Sequence, residues 1–285
     1  MKLLALFILT IFTSLITQQH SKAANTDQMH NPIEEPADST KKANRLKLKP
    51  NQFYQVGIAE SFIGGLFEAT YPVGELLTHG NFGVGAPGLL DGELTFYNGQ
   101  AYQTQSSGKT TLVKDTAKTA LSFVTLFKPD TSFIINNISS PKDAFLKIQE
   151  HLKHKNAIYA VKISGTFNAV KTRAFPKRTQ KPFPPLATLL DQQHFFDIRN
   201  TPGVLVGFNL PAYLNGLSIE GFHFHFLSDD KTKGGHMLDF SGSQLKVEIA
   251  EQTDFQLKIP QDSAFRQYDF KKQHNADLDK VEKGH

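Results

Sequence analysis

Hydrophobic positions recur with period two along much of this chain, in short runs. Glu93-Leu94-Thr95-Phe96-Tyr97 and Gln100-Ala101-Tyr102-Gln103 flank the pair Asn98-Gly99. Asn-Gly accepts the positive φ values of a type I′ turn, whose twist suits the flanking strands, so a hairpin is predicted here. The same alternation predicts strands over residues 122–127, 157–163, 166–175, 203–208, 221–227, 236–240 and 245–249. Helical signals are fewer. Ser140-Pro141-Lys142-Asp143 opens one helix, with Ser as N-cap and Pro in the first turn, running to about residue 153. Shorter helical pieces are predicted at 73–78 and 186–192. The balance predicts a β-rich α+β fold built on mixed or antiparallel sheet. No linker stands out after residue 50, which leaves 51–285 as the folded region.

The first fifty residues follow a different pattern. Lys2 precedes an almost wholly apolar run over 3–16, and Ser21-Lys22-Ala23 offers small residues where a signal peptidase cuts. Residues 1–23 are therefore read as a signal peptide. The apolar run is short of the ~20 residues that span a bilayer, so no stable membrane anchor is expected after cleavage. Residues 24–50 are polar, carrying Pro32, Pro36 and Asp38-Ser39-Thr40-Lys41-Lys42. Such a stretch buries too little apolar surface to offset its ordering entropy and is read as a flexible leader. The expected location is outside the cytoplasm, periplasmic or extracellular.

Charge and cysteine content narrow the classes further. The formal net charge of +4 includes Lys2 and Lys22, which leave with the signal. What remains is nearly neutral and lacks the clustered basic face of a nucleic-acid binder. The chain has no Cys, which excludes disulfides, thiolate metal ligands and Cys nucleophiles. Stability must come from a core, and 24 Phe supply much of its bulk.

The sharpest chemical signal is Gly221-Phe222-His223-Phe224-His225-Phe226-Leu227. In a strand, His223 and His225 point to one side and the three Phe to the other. Asp229-Asp230-Lys231-Thr232-Lys233-Gly234-Gly235 is turn chemistry, and His236 opens the next strand. An antiparallel return brings the third imidazole beside the first two. Three nitrogen ligands leave one coordination position open, as in catalytic zinc sites. Imidazole also suits other first-row divalent ions, so zinc is the default rather than the only choice.

Leu90-Asp91-Gly92-Glu93-Leu94, Lys171-Thr172-Arg173 and the stretch from Gly221 to Phe240 together resemble the acetolactate decarboxylase family. Within the last stretch the His-x-His, Phe-Leu-x-Asp-Asp and Gly-Gly-His-x-Leu-Asp-Phe patterns carry the similarity. The resemblance implies two similar, closely packed β-sheet halves and conversion of 2-acetolactate to acetoin and CO2. It implies zinc on His223, His225 and His236, with Glu93, Arg173 and Glu282 as the other site residues. Chelation of the substrate hydroxyl and ketone by the ion lets the ketone accept the electron pair released with CO2. The enediolate so formed is then protonated, with Glu93 or Glu282 as the implied donor. A guanidinium does not give up its proton in proteins, so Arg173 is assigned an electrostatic role. The resemblance also implies a possible homodimer. One departure is Ala86-Pro87, where relatives often carry Thr, implying a missing hydroxyl near the site.

Other readings compete. A cupin-like dioxygenase or isomerase also uses His-x-His on a strand, though cupins commonly place a Glu a few residues later, where this chain reads Phe226 to Asp230. A non-catalytic extracellular metal-binding module would need a closed shell, with Glu93 as a fourth ligand. On local grounds Glu93 is a solvated hairpin residue and Arg173 belongs to a solvated basic face shared with Lys171. Glu282 sits in a charged tail. His79, His151, His154 and His194 are scattered, and the pair at 151 and 154 is expected to face solvent.

Overall fold

The Asn98-Gly99 turn forms as its sequence requires, with φ of 53° at Asn98 and 74° at Gly99. Tyr97 pairs with Gln100 across it. A computed structural model describes residues 49–272 and 280–281, within the compact unit Thr40–His285. The expected signal segment 1–23 and nearly all of the expected leader 24–50 lie outside the described residues. Pro50, at the leader's end, already bridges Leu126.

The first strands are β1 (Gln52–Val56), β2 (Tyr71–Pro72), β3 (Phe82–Pro87), β4 (Glu93–Tyr97), β5 (Gln100–Thr104), β6 (Thr110–Leu112) and β7 (Lys118–Thr125). The next are β8 (Thr131–Ile138), β9 (Ile158–Ala174), β10 (His194–Leu210), β11 (Gly221–Ser228), β12 (Gly234–Gln252) and β13 (Asp254–Lys258). The helices are α1 (Ala59–Ile63), α2 (Val73–Leu77), α3 (Pro141–Gln149) and α4 (Ser263–Arg266). One sheet has the order β13-β1-β7-β3-β4-β5-β6, with β2 beside β7. It is mixed, because β1 and β13 run parallel. The other has the order β11-β10-β9-β12-β8, and β11 also pairs with β12, so β9 to β12 close on themselves. The expected two sheet halves are present, and they differ in size.

Several boundaries differ from the sequence reading, β10 for one beginning at His194 rather than at 203, and three of the differences have a plain local reason. Residues 157–163 and 166–175 form the single strand β9, because Gly165 (φ 149°) lets the strand continue where glycine reads as a break. Residues 236–240 and 245–249 likewise belong to β12, whose register slips around Ser241 and Gly242. A slip of this kind is a bulge rather than a turn. The helix opened by Ser140 begins as predicted, with its Oγ accepting from Asp143 N at 3.3 Å, but ends at Gln149. The chain then turns so that Leu152 packs beneath and the His151 ring stacks on Phe133 at 3.7 Å. The helix α2 and a 3-10 turn over Leu186–Gln192 agree with the predictions. The five-residue α1 was not foreseen, being too short to show a helical period.

Packing follows from the alternation. Phe53, Phe82 and Phe123 of the first sheet meet Val204, Val206 and Phe208 of the second in a core between the sheets. Phe53 stands edge-on to Phe208 at 5.0 Å. The opposite face of the second sheet buries Phe224, Phe226 and Phe240 under α3, which contributes Ala144 and Ile148. The outer face of the first sheet buries Tyr54, Val56 and Phe96 under Val73 and Leu76 of α2. Among the described residues no helix is long and apolar enough to cross a membrane.

Candidate metal centre

The strand β11 carries the predicted two-faced pattern. Phe222, Phe224 and Phe226 turn toward α3 and the far side of the sheet, where Phe222 stacks on Phe145 at 4.3 Å. The imidazoles of His223 and His225 turn the other way, into the layer between the sheets. Both faces are buried, so the alternation separates an apolar core from a polar one. The return to β12 is held by Asp230, which accepts from Ser228 Oγ at 2.5 Å and Thr232 N at 3.0 Å. These bonds to its charged form lower the Asp230 carboxyl to about 2. Gly235 (φ 118°) then lets the backbone pass Arg173, since a Cβ there would lie 2.8 Å from the Arg173 carbonyl. The register that follows pairs His236 with His225 on one side and with Arg173 on the other.

The three imidazoles converge. Their ring centroids are 5.2, 4.9 and 5.5 Å apart, and one candidate ligand atom from each lies within 4.8 Å of the others. His223 Nε2 and His225 Nε2 are 3.3 Å apart. Tetrahedral ligands at the roughly 2.0–2.1 Å of a zinc–nitrogen bond stand about 3.3–3.4 Å from each other, so this pair has the spacing of ligands sharing one ion. His225 Nδ1 lies 2.7 Å from the Leu94 carbonyl. The carbonyl can only accept, so Nδ1 carries the proton and Nε2 presents its lone pair to the cluster. Burial, followed by the neighbouring His223 and opposed by the Leu94 bond, pushes the His225 pKa well below its ordinary value. A neutral ring is the ligand form. The donor set therefore fits a divalent first-row ion.

The other predicted residues lie on both sides of the cluster. Glu93 comes from the opposite sheet, at the start of β4, with Oε2 3.5 Å from His225 Nε2. Its Oε1 accepts from Arg173 Nη1 at 2.6 Å, and both side chains are under a tenth exposed. The local expectation of solvated side chains is overturned for both. The end of β9 lies against the first sheet, so Arg173 enters the inter-sheet layer while Lys171 stays outside over Phe195. Glu282 lies outside the described residues. Its neighbour Val281 is buried against the cluster, and its carbonyl accepts from Arg173 Nη2 at 3.3 Å. Ala86 lines the same cavity.

Sequence reasoning missed several contributors. The Leu94 carbonyl is backbone and has no sequence signal beyond following Glu93. Phe175 lies under the Arg173 guanidinium at 4.9 Å, and its position two residues along β9 was the available clue. Phe62, on the unforeseen α1, forms another wall. The other histidines among the described residues stay apart. His79 stacks on Tyr54 at 3.6 Å, whereas His151 and His154 are exposed as expected.

Two stacked sheets that contribute imidazoles, a carboxylate and a guanidinium to one buried cavity define a two-sheet protein with a candidate metal centre between its layers. The chain belongs to the alpha-acetolactate decarboxylase family, whose pattern matches residues 53–272. It is 33% identical over 226 residues to the alpha-acetolactate decarboxylase of Bacillus licheniformis, covering 78% of this chain and 87% of the relative. It is 34% identical to that of Methylococcus capsulatus, covering 78% and 86%. The crystal structure of alpha-acetolactate decarboxylase from Bacillus subtilis superposes with a TM-score of 0.79 at 29% identity, covering 82% of this chain and all of that one. These relatives are named as decarboxylases, which are carboxy-lyases. Neither the cupin-like reading nor the non-catalytic module is favoured by this membership.

Proposed function

We propose that this chain decarboxylates 2-acetolactate to acetoin and CO2 at a divalent metal centre, zinc by default, held by His223, His225 and His236. The observation that carries the reading is the convergence of three buried imidazoles beside the Glu93–Arg173 pair. When bound, the ion supplies Lewis acidity toward the substrate hydroxyl and ketone oxygens. The bond from C2 to the carboxylate breaks, CO2 leaves, and its electron pair passes to the ketone oxygen. A proton must then reach C2.

The chain's own groups divide the remaining work. The Arg173 guanidinium supports negative charge developing on a substrate oxygen. Its Nε meets no hydrogen-bond acceptor among the described residues, which suits that role. A tight clamp on the departing carboxylate alone would stabilise the ground state more than the CO2-like transition state, so the oxyanion is the better target. Glu93, oriented by Arg173, is the candidate to hold and deliver the proton, directly or through water. Glu282, one residue beyond the buried Val281, is the second. Phe123, Phe175, Leu121 and Ile219 give the cavity apolar walls that leave room for few waters.

We further read residues 1–23 as an export signal, with the mature chain beginning at Ala24 and acting outside the cytoplasm. N-terminal sequencing of the secreted protein tests this. The principal experiment supplies racemic 2-acetolactate to the purified protein and follows acetoin colorimetrically and CO2 by gas evolution. Exhaustive chelation should abolish both, and zinc should restore them. Undiminished turnover by thoroughly stripped protein would overturn the metal-centred reading.

A further inference from the structure

The cavity that the cluster faces is about 30 Å³, room for about two waters by the usual measure. That leaves little room for an alkyl group longer than methyl on a bound 2-hydroxy-3-oxo acid. A second cavity, about 250 Å³, lies beside the first. Among the described residues, Phe62 is the side chain that lines both. Phe123, Phe175, Leu186 and Leu121 back onto packed core, whereas Phe62 backs onto open space. Its ring rests edge-on against Phe67 at 5.3 Å.

The chemistry of the second cavity decides what it takes. Ile58, Leu66, Ala120, Phe183, Phe265 and Tyr268 supply mostly apolar walls. Its charged groups already have partners. Lys181 pairs with Glu68, and an Asp262 oxygen accepts from Phe265 N at 2.9 Å. Tyr268 donates to the Glu60 carbonyl at 3.4 Å. Such a space suits an alkyl chain better than a second anion.

Resting on the decarboxylase reading, we propose that Phe62 is a specificity-determining partition. It limits the alkyl group on the substrate's C2 to small substituents, and the cavity behind it is the subsite that a longer chain enters when the ring is removed. A substrate with propyl in place of methyl at C2 places its extra carbons where the Phe62 ring now stands. Each methylene newly accommodated in an apolar pocket is worth roughly tenfold or more in discrimination.

The test measures binding rather than turnover. Metal-loaded protein is titrated calorimetrically with 2,3-dihydroxy-2-methylbutanoate and with its 2-propyl homologue, unreactive because the ketone is reduced. Phe62→Ala should raise the propyl-to-methyl affinity ratio at least about tenfold over the wild type. Phe62→Leu, which keeps an apolar side chain in the core, should raise it less but in the same direction. Adding Ala264→Phe, which fills the second cavity from α4, should take back the gain. A ratio unchanged in both Phe62 variants overturns the proposal, as does a gain that Ala264→Phe leaves intact. The wild type's acetoin production is scored separately, so a failure of the decarboxylase reading is not mistaken for a failure of the partition.

Discussion

Replacing Arg173 with Met removes one member of a buried ion pair and keeps most of its apolar stem. The Arg173 and Glu93 side chains are 4% and 8% exposed, with 2.6 Å between Nη1 and Oε1. Truncating one partner leaves the other charge buried without its counter-ion, which costs about 3–5 kcal/mol. For a domain of this size each kcal/mol lowers Tm by roughly 2–4 °C, so the loss should fall near 6–20 °C. Part of that loss depends on the metal. Glu93 also lies 3.5 Å from His225 Nε2, so a dication at the cluster offsets its charge. Thermal unfolding should therefore show a larger Arg173→Met penalty in chelated protein than in metal-loaded protein. The double variant Arg173→Met/Glu93→Gln should regain much of the stability, because both charges are gone, but none of the activity. A single-variant loss below about 1 kcal/mol would mean a pair as weak as a solvent-exposed one, and the buried-pair argument would fail.

Other expectations are simpler to check. Chelation of the unmodified protein should lower its stability, since a ligand at a hundred times its Kd contributes about 2.7 kcal/mol; an unchanged Tm would deny a resident ion. Burial pushes Tyr71 and Tyr268 up to about 12, and raises Tyr54 further. The fold favours the neutral phenols, so their contribution is complete below the unfolded value near 10 and is lost as pH rises through about 12; unfolding midpoints across that window should fall, and a flat profile refutes it. Phe224→Ala, which empties a site beneath α3, should cost about 3–5 kcal/mol in chemical denaturation, and under 1 kcal/mol would deny the second core. Gly99→Ala forces a Cβ into φ 74° and should cost about 1–2 kcal/mol without reducing metal content, as elemental analysis would verify.

What the sequence disclosed depended on the range of each signal. The hairpin at Asn98-Gly99 and the cap at Ser140 are local, because a few residues determine a turn or a helix start. The His223, His225 and His236 cluster was legible because one strand, one turn and the next strand bring the three together. Glu93 and Arg173 are different. Each looks solvated within its own segment, and burial arises only when the second sheet lands on the first, over 80 positions of sequence separation. The resemblance pointed to these residues, whereas local pattern pointed away from them. Breaks in β9 and β12 were misplaced because Gly165 and Gly242 read identically whether the chain bulges or turns.

The same strand also explains how the cluster stays fixed without disulfides or a rigid loop. On β11 the phenylalanines are locked by α3 and the strands around them, and the histidines occupy the alternate positions. Any twist of the strand that carries the imidazoles out of the cluster must lift a phenyl ring out of packed core. Strand β4 of the other sheet adds a constraint from the opposite direction, since the Leu94 carbonyl accepts from His225 Nδ1 immediately after Glu93 enters the site. Sheet packing and ligand orientation are therefore one requirement. A substitution that shifts the two sheets apart, even far from any histidine, should separate Glu93 and Leu94 from the cluster before it unfolds the protein.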